Sequence, residues 1–310
     1  MRLLLLGCTG FVGKELVPAL LKEGHELCII SRKNINNLKI NIPLDKFKFL
    51  KIDLSKKQNW SNKNLLSNLK DSDGIINLIG EPIADKKWTE IQKEEIKKSR
   101  INTTKFLMET LKKSRINPKV IVNSSAIGFY GTSLTQEFNE NSQSGKDFLA
   151  NLCNKWEEVA NGKPFFSRLV IFRIGIVLEA EGGALGKMLP VFKIGLGGPI
   201  GDGNQWMSWI HRSDLCGLII KALVDKQFSG VYNAVAPEPV LMKYFSKTLG
   251  RCLKRPDLLP VPGSILKLLL GDGAKLVLEG QKVISIKLQE KIYKFKYPLL
   301  EKAIYASTKN

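Results

Sequence analysis

The first fourteen residues, MRLLLLGCTGFVGK, place the strongest constraint on what this chain can fold into. The apolar run 2–6 has the length of one buried strand, and three glycines follow it at once. Residues 14–22 then carry leucines at helical spacing. A strand that ends in glycines and continues as a helix is the local context of a dinucleotide-binding turn. A tight strand–helix turn without a ligand is the alternative interpretation.

Each of the three glycines has its own task in a dinucleotide-binding turn. Gly7 permits the tight turn after the strand, and Gly10 permits a pyrophosphate to approach the backbone. Gly13 lets the helix pack closely against the strand, so that the N–H groups of its first turn face the phosphates. The spacing is GxxGxxG rather than the GxGxxG of simple dehydrogenases, and together with the preceding buried strand it favours dinucleotide binding.

Length and composition indicate an ordinary globular protein. The 310 residues are enough for one large domain or two unequal ones with a sizeable core. The leucine run leads straight into the glycine turn, so we expect no secretory signal, and no apolar stretch has membrane-spanning length. Five cysteines without CxxC spacing predict reduced thiols in a cytoplasmic protein.

The formal net charge of +19 raises the question of nucleic-acid binding. The basic residues are mostly lysines, and they lie throughout the chain rather than in one block. We therefore expect no nucleic-acid partner, although the charge would attract anionic ligands in general. Only two histidines are present, and no cysteine–histidine spacing points to a metal site.

Strands alternate with helices through the first 178 residues. After the glycine turn, the pattern predicts strands over 26–30, 47–52, 74–78, 119–123 and 168–173, with helices over 88–113 and 147–160. This alternation predicts an α/β fold with a Rossmann-type, doubly wound parallel sheet. We assign residues 1–178 to an NADP-binding Rossmann domain, and we expect residues 205–235 to return to it.

The pattern changes after residue 178. Glycines concentrate between residues 182 and 203 and mark a loop-rich segment, and several short helices with turns follow from about residue 240. We predict that residues 179–310 form a smaller, mainly helical lobe on the substrate side of the sheet. The candidates for lining its substrate pocket are Met188, Gln205 and Trp206.

The end of the second predicted strand indicates NADP rather than NAD. In this fold the strand end meets the adenosine ribose, where a carboxylate selects NAD and a cation suits a 2′-phosphate. The chain has Arg32 and Lys33 there and no carboxylate. One charge-assisted contact contributes roughly 1.5–3 kcal/mol, so Arg32 would favour NADP by about ten- to a hundredfold. A solvated basic turn is the alternative. Asp53 ends the third strand, where the adenine would lie.

Several further blocks of sequence resemble one protein family. The blocks are GCTGFVG at 7–13, SR at 31–32, NLIGE at 77–81, SRINTT at 99–104, GLGGPIGDGNQWMSWIHRSD at 195–214 and APEP at 236–239. With them the chain resembles the extended and atypical branch of the short-chain dehydrogenase/reductase superfamily, and within it an epimerase-related, NADP-binding family. Members are described as nucleoside-diphosphate-sugar epimerases, NADP-binding oxidoreductases or cell-division-associated proteins, the last in plastids and cyanobacteria.

The resemblance covers essentially the whole chain and implies a set of cofactor contacts. The pyrophosphate would contact Thr9, Gly10, Phe11 and Val12, and the 2′-phosphate would contact Ser31 and Arg32. Adenine and ribose would contact Leu78 and Ile79. Other parts of the cofactor would contact Glu95, Arg100 and Val177. For Arg100, a surface salt bridge with helix neighbours such as Glu95 is the alternative.

The usual catalytic groups of that superfamily are only partly present. They are a serine after the fifth strand, with a tyrosine and a lysine four residues apart on the next helix. Ser124 and Ser125 fit the serine. If Glu157 corresponds to the glutamate that commonly follows the tyrosine–lysine dyad, the dyad positions fall on Leu149 and Cys153. The standard dyad is then absent.

Tyr130 is the remaining candidate for proton transfer, in the loop directly after the fifth strand. It would need to fold over the nicotinamide, with Ser125 as partner, and a packed aromatic beside Phe129 is the alternative. A positioned acid–base group contributes about 10²–10⁴-fold to a rate. Two functions therefore stay open. One is an oxidoreductase or nucleotide-sugar epimerase with a non-standard site and a small, nucleotide-linked substrate. The other is an NADP(H)-binding regulatory protein, in cell division, that has lost its catalysis.

Overall fold

The computed structural model describes residues 1–34, 46–164, 167–291 and 293–309. Its strands are β1 (Arg2–Leu6), β2 (Glu26–Ser31), β3 (Lys48–Lys51), β4 (Gly74–Asn77), β5 (Val120–Ala126), β6 (Glu137–Phe138), β7 (Arg168–Ile174), β8 (Ile176–Glu179), β9 (Trp206–Met207), β10 (Trp209–His211), β11 (Gly230–Ala234), β12 (Val240–Leu241) and β13 (Lys282–Val283). Its α-helices are α1 (Gly13–Lys22), α2 (Lys63–Asp71), α3 (Glu90–Lys97), α4 (Thr103–Lys113), α5 (Phe148–Asn161), α6 (Gly183–Lys193), α7 (Arg212–Val224), α8 (Met242–Leu253), α9 (Gly263–Leu270), α10 (Lys275–Leu278), α11 (Ile286–Glu290) and α12 (Leu300–Thr308).

The largest sheet in the described residues has seven parallel strands in the order β11-β7-β5-β4-β1-β2-β3. The strand order reverses between β1 and β4. In open parallel sheets of this kind, ligands bind outside the carboxyl ends of the strands at that switch point. The predicted α/β fold with a Rossmann-type, doubly wound parallel sheet is confirmed.

The sheet is covered by helices on both faces, which β1 shows most clearly. Leu3 and Leu5 pack into one apolar cluster with side chains of α1 and α7, and Leu4 and Leu6 pack into another with side chains of α2 and α4. All four leucines are almost fully buried. The uninterrupted apolar run is therefore explained by burial on both faces, because successive side chains of a strand point to opposite sides.

The helix predicted over residues 88–113 is observed as two helices joined without a loop. α3 passes into a π-helical segment, Lys98–Asn102, which continues directly as α4. A π segment inserts an extra residue into the helical turn and often marks a functional site. Arg100 lies in this segment. Hydrophobic spacing does not indicate the π segment.

The loop-rich segment predicted after residue 178 contains a helix, which corrects that expectation. α6 begins at Gly183 and buries Leu185, Leu189 and Phe192 along one face. These side chains join an apolar cluster with side chains of α8 and α12. The three residues recur at i, i+4 and i+7, a helical spacing that the surrounding glycines concealed.

The segment that follows joins the large sheet again. α7 packs against α1, and β11 pairs with β7 in parallel register, with Tyr232 opposite Phe172. Residues 240–309 add α8 to α12 with two short strands. No helix in the described part of the chain combines the length and apolar character needed to cross a membrane.

Candidate functional site

The glycine turn lies at the carboxyl end of β1, at the switch point of the sheet. Gly7 has φ +75°, and a Cβ on it would lie 2.6 Å from the backbone nitrogen of Ile79. A Cβ on Gly13 would lie 1.8 Å from the carbonyl oxygen of Cys8. Packing within the protein therefore requires glycine at both positions. At Gly10, apart from its chain neighbours, the nearest atom of the described residues would be the Gly7 carbonyl oxygen at 3.9 Å, so the space beside it is open to a ligand.

The backbone between β1 and α1 presents unpaired donors. Among the residues that the structure describes, none accepts a hydrogen bond from the backbone N–H of Thr9, Phe11 or Val12. Val12 is the N-cap of α1 and provides no side-chain cap. Free N–H groups at the positive end of a helix dipole form a binding site for an anion such as a phosphate.

The side chain of Phe11 fixes this turn against the second half of the chain. A Cβ on Gly182 would lie 2.9 Å from Cδ2 of the Phe11 ring. The guanidinium of Arg212 lies 5.2 Å from the centre of the same ring, and its Nε donates to Glu15 over 2.9 Å. The ring is thereby held between β8–α6 and α7, and the backbone of the turn is left to face the ligand.

The end of β2 carries a hydroxyl and an exposed cation. The Ser31 and Thr9 hydroxyl oxygens lie 3.4 Å apart, which joins the two strand ends. The Arg32 side chain is 67% exposed, and its Nη2 lies 3.4 Å from Oε2 of Glu81. The Asp53 carboxylate accepts hydrogen bonds from Ser55, which hold its pKa below the usual range, with a smaller contribution from the nearby Arg32 charge.

The end of β4 lies between the glycine turn and Arg100. The Ile79 N–H donates to Oδ1 of Asn77, and the Leu78 carbonyl lies where a Cβ on Gly7 would touch it. Arg100 Nη1 donates to the Glu81 carbonyl over 3.0 Å, and a Cβ on Gly80 would lie 2.9 Å from the Arg100 Cζ.

Burial lowers the pKa of Arg100, whose guanidinium also lies 5.5 Å from the Trp156 ring. In the described residues Arg100 has no ion pair, and Glu95 is exposed on α3. The surface salt bridge between them is therefore not formed. Val177 lies in β8 opposite Ile210 and packs against the same apolar cluster as β1.

The predicted catalytic hydroxyls all bond to buried groups of the protein. Ser124 Oγ donates to the Asn77 carbonyl over 3.1 Å, and Ser125 Oγ donates to Oε1 of Glu157 over 2.6 Å. The Tyr130 hydroxyl donates to Oδ1 of Asn233 over 2.7 Å. None of these three hydroxyls is left with a free proton toward an open cleft.

Tyr130 has an interior position. Its hydroxyl also accepts a hydrogen bond from Arg173 Nη1 over 2.9 Å, and its ring packs against those of Phe129 and Phe138. Burial raises the pKa of Tyr130, an effect that the charge of Arg173 partly offsets. The segment after β5 thus turns Tyr130 into the protein interior, which agrees with the alternative interpretation of a packed aromatic side chain beside Phe129. Proton transfer by Tyr130 stays a prediction that this geometry does not favour.

A buried polar network that sequence reasoning missed lies behind these hydroxyls. Glu157 on α5 and Arg173 on β7 form a bidentate ion pair, and Arg173 lies 3.3 Å from the centre of the Phe129 ring. Asn233 on β11 extends the network to the Ile284 carbonyl. The sequence signal for this network was Arg173, a charged residue inside the apolar strand sequence RLVIFRI at a position expected to be buried.

The two positions that correspond to the missing dyad are apolar or inert. A Cβ on Gly128 would lie 3.2 Å from Cβ of Leu149, so this side chain packs under the loop. Burial raises the pKa of Cys153 to about 12, which keeps it a neutral thiol. In the described ranges, no group of three or more His, Cys, Asp and Glu side chains is placed to hold a metal ion.

The three substrate candidates lie in or near the contacts that order the second half of the chain. Gln205 Nε2 donates to the carbonyls of Ile200 and Val277, and Trp206 Nε1 donates to that of Leu134. Gln205 is buried, and its Oε1 has no partner among the described residues. Met188 is partly buried in the cluster of α6 and α8.

Family models match two separate parts of the chain. Residues 3–152 match the NAD dependent epimerase/dehydratase family, and residues 261–306 match a domain of unknown function, DUF1731. The chain is 40% identical to the epimerase family protein SDR39U1 homolog, chloroplastic, of Arabidopsis thaliana, over 97% of this chain and 84% of that protein.

Two solved structures are similar over nearly all of this chain. One is human epimerase family protein SDR39U1 crystallised with NADPH, which is 35% identical with a TM-score of 0.88 and full coverage of both chains. The other is a nucleoside-diphosphate sugar epimerase from Corynebacterium glutamicum, 29% identical with a TM-score of 0.75. It covers 99% of this chain and 58% of the other.

Proposed function

This chain belongs to the epimerase family that includes SDR39U1, and on that premise we propose that it binds NADP(H) at the carboxyl edge of its sheet. The resemblance inferred from the sequence motifs is confirmed by this membership. The observation that carries the proposal is the open space at Gly10 beside unpaired N–H groups at the start of α1. The human relative, 35% identical over its full length, was crystallised with NADPH.

We propose which residues of this chain contact each part of the cofactor. The N–H groups of Thr9, Phe11 and Val12 would bind the pyrophosphate, with Gly7, Gly10 and Gly13 shaping the turn. The side chains proposed for the adenosine half are Ser31, Arg32, Asp53, Leu78 and Ile79. Glu95, Arg100 and Val177 are proposed to contact other parts of the cofactor.

For the reaction, we propose an oxidoreductase or epimerase that acts on a small, nucleotide-linked substrate. Bound NADP(H) would supply hydride exchange, and the chain would orient the substrate beside it. The nucleotide-sugar class is supported by the name of the 29% identical Corynebacterium protein. Met188, Gln205 and Trp206 remain the proposed substrate contacts, and Ser124, Ser125 and Tyr130 the proposed catalytic ones.

A second candidate function is an NADP(H)-binding regulatory protein without catalysis, acting in cell division. One observation favours it: the hydroxyls of Ser124, Ser125 and Tyr130 all donate to buried acceptors. Leu149 and Cys153 at the dyad positions add no acid or base. A cytoplasmic location is also a proposal, and the Arabidopsis relative is named as chloroplastic.

Two experiments test the shared cofactor site and then distinguish the two functions. Calorimetric titration with NADPH and NADH tests cofactor binding, which both functions require, and we expect NADPH to bind more tightly. Protein loaded with NADPH or NADP⁺ is then incubated with nucleoside-diphosphate sugars, and the absorbance at the reduced nicotinamide band and the sugar products are followed. Turnover supports the enzyme. Tight binding of NADPH without any turnover supports the regulatory function.

A further inference from the structure

Glu81 lies at the rim of the proposed 2′-phosphate site, just past the end of β4. Its Oε2 is 3.4 Å from Nη2 of Arg32, and its Oε1 is 3.2 Å from Nζ of Lys86. The Glu81 side chain is only 17% exposed, whereas both cations are largely exposed. One carboxylate therefore neutralises two cations at the place where a phosphate would be bound.

The position of Glu81 does not depend on its carboxylate. Its backbone N–H donates to Oγ of Ser99 over 3.0 Å, and its carbonyl accepts from Nη1 of Arg100 over 3.0 Å. Ser99 Oγ in turn donates to the Ile96 carbonyl. The π segment between α3 and α4 thus fixes the backbone, and the side chain is free to be exchanged without loss of the loop.

We propose that Glu81 is a specificity-determining residue, whose carboxylate competes with the 2′-phosphate of the cofactor for Arg32. The inference rests on the proposed binding of NADP(H). A 2′-phosphate that reaches Arg32 must displace or approach a like-charged carboxylate, and both events cost free energy. NADH carries a 2′-hydroxyl instead of the phosphate, so its binding does not bring a second negative charge toward Glu81. Glu81 therefore lowers the preference of the protein for NADPH over NADH.

The test compares the dissociation constants of NADPH and NADH for wild type and Glu81→Gln at low ionic strength. Glutamine keeps the shape and removes the charge. We expect NADPH to bind about three- to tenfold more tightly, the range for losing an exposed ion pair and a like-charge repulsion, with NADH changed less than about twofold. The NADPH gain should shrink as salt is raised, because the charges lie at the surface.

Glu109→Gln is the matched control. It removes one carboxylate of an exposed ion pair, with Lys105 on α4, and leaves the rim of the site intact. A similar gain in NADPH affinity in this variant would show that the effect comes from the net charge of the protein, and it would overturn the inference. Weaker NADPH binding by Glu81→Gln would also overturn it, because Glu81 would then position Arg32 rather than compete for it.

The same titrations distinguish a failure of cofactor binding from a failure of the role proposed for Glu81. If neither wild type nor Glu81→Gln binds NADPH, the proposed function is wrong and the inference falls with it. If wild type binds NADPH tightly and Glu81→Gln binds it equally well, the inference alone is wrong. Thermal unfolding of each variant, followed by circular dichroism, shows that a folded protein was compared.

Discussion

Arg173 and Glu157 form a bidentate ion pair in the interior of the protein. Nε of Arg173 lies 2.9 Å from Oε1, and its Nη2 lies 2.8 Å from Oε2 of the carboxylate. The two side chains are only 6% and 7% exposed. The pair joins β7 to α5 directly behind the Ser125 and Tyr130 hydroxyls, and it therefore holds two of the three predicted catalytic groups in place.

We predict that replacing the members of this ion pair causes a large and non-additive loss of stability. Arg173→Met leaves the Glu157 carboxylate buried without its partner, which should lower the free energy of unfolding by about 3–5 kcal/mol. Urea denaturation followed by circular dichroism measures the change. In the double variant with Glu157→Gln, the loss should be clearly smaller than the sum of the two single losses. Additive losses would contradict the pairing.

Tyr130→Phe separates a structural role from a catalytic one. The variant loses the hydrogen bonds with Asn233 and Arg173 and leaves buried partners unpaired, so the free energy of unfolding should fall by about 1–3 kcal/mol. Tyr305→Phe, at an exposed position on α12, should change stability by less than about 0.5 kcal/mol. NADPH affinity should be unchanged in both. A Tyr130→Phe protein of full stability that has lost all turnover would instead show that Tyr130 transfers a proton.

The glycines of the first turn should respond differently to alanine. Gly13→Ala places a Cβ 1.8 Å from the Cys8 carbonyl oxygen, so we expect little folded protein. In Gly10→Ala the new Cβ would lie 3.9 Å from the Gly7 carbonyl oxygen, the nearest described atom outside the neighbouring residues, so the variant should keep wild-type thermal stability. It should weaken NADPH binding at least about tenfold, the cost of losing one charge-assisted hydrogen bond. A Gly10→Ala protein with full NADPH affinity would argue against a pyrophosphate at this turn.

The sequence predicted the sheet well because burial leaves a local signal. The apolar run Arg2–Leu6 and the alternating strands and helices that follow were located to within a few residues. The glycine turn was also predicted, since Gly7 and Gly13 are required by backbone contacts only a few residues along the chain or at a neighbouring strand end.

The parts that could not be predicted depend on contacts between distant segments. The π turn that places Arg100 over Gly80 has no mark in hydrophobic spacing. The inward fold of Tyr130 depends on Asn233, 103 residues further along the chain. The Glu81–Arg32 contact joins the ends of two strands that meet only in the folded sheet. Such pairings are decided by tertiary structure, which a single sequence does not display.

We predict that the Asp73 carboxylate makes the stability of the protein depend on pH. Its carboxylate accepts hydrogen bonds from Lys119 Nζ over 2.8 Å and from the Arg2 N–H over 2.9 Å, which lower the pKa of Asp73 below 3.8. Because the folded pKa lies below the unfolded one, this stabilisation is present above pH 3.8 and is lost as the pH falls through the folded pKa. Asp73→Asn should be less stable than wild type at pH 7, with the difference vanishing in acid.

Thermal unfolding of wild type and Asp73→Asn between pH 7 and pH 3 measures this difference. Removing the main partner with Lys119→Met should shrink the effect of Asp73→Asn at neutral pH, since the two side chains act as a pair. A difference between the Asp73 proteins that is constant over the whole pH range would contradict the assignment.

Binding of NADP(H) through the glycine turn and Arg32 is tested most directly by one titration. Wild type and Arg32→Ala are each titrated with NADPH and with NADH by calorimetry. We predict that wild type prefers NADPH, and that Arg32→Ala weakens NADPH binding by about ten- to a hundredfold while NADH binding is unchanged. Equal losses for both nucleotides, or no binding of NADPH to wild type, would contradict the account.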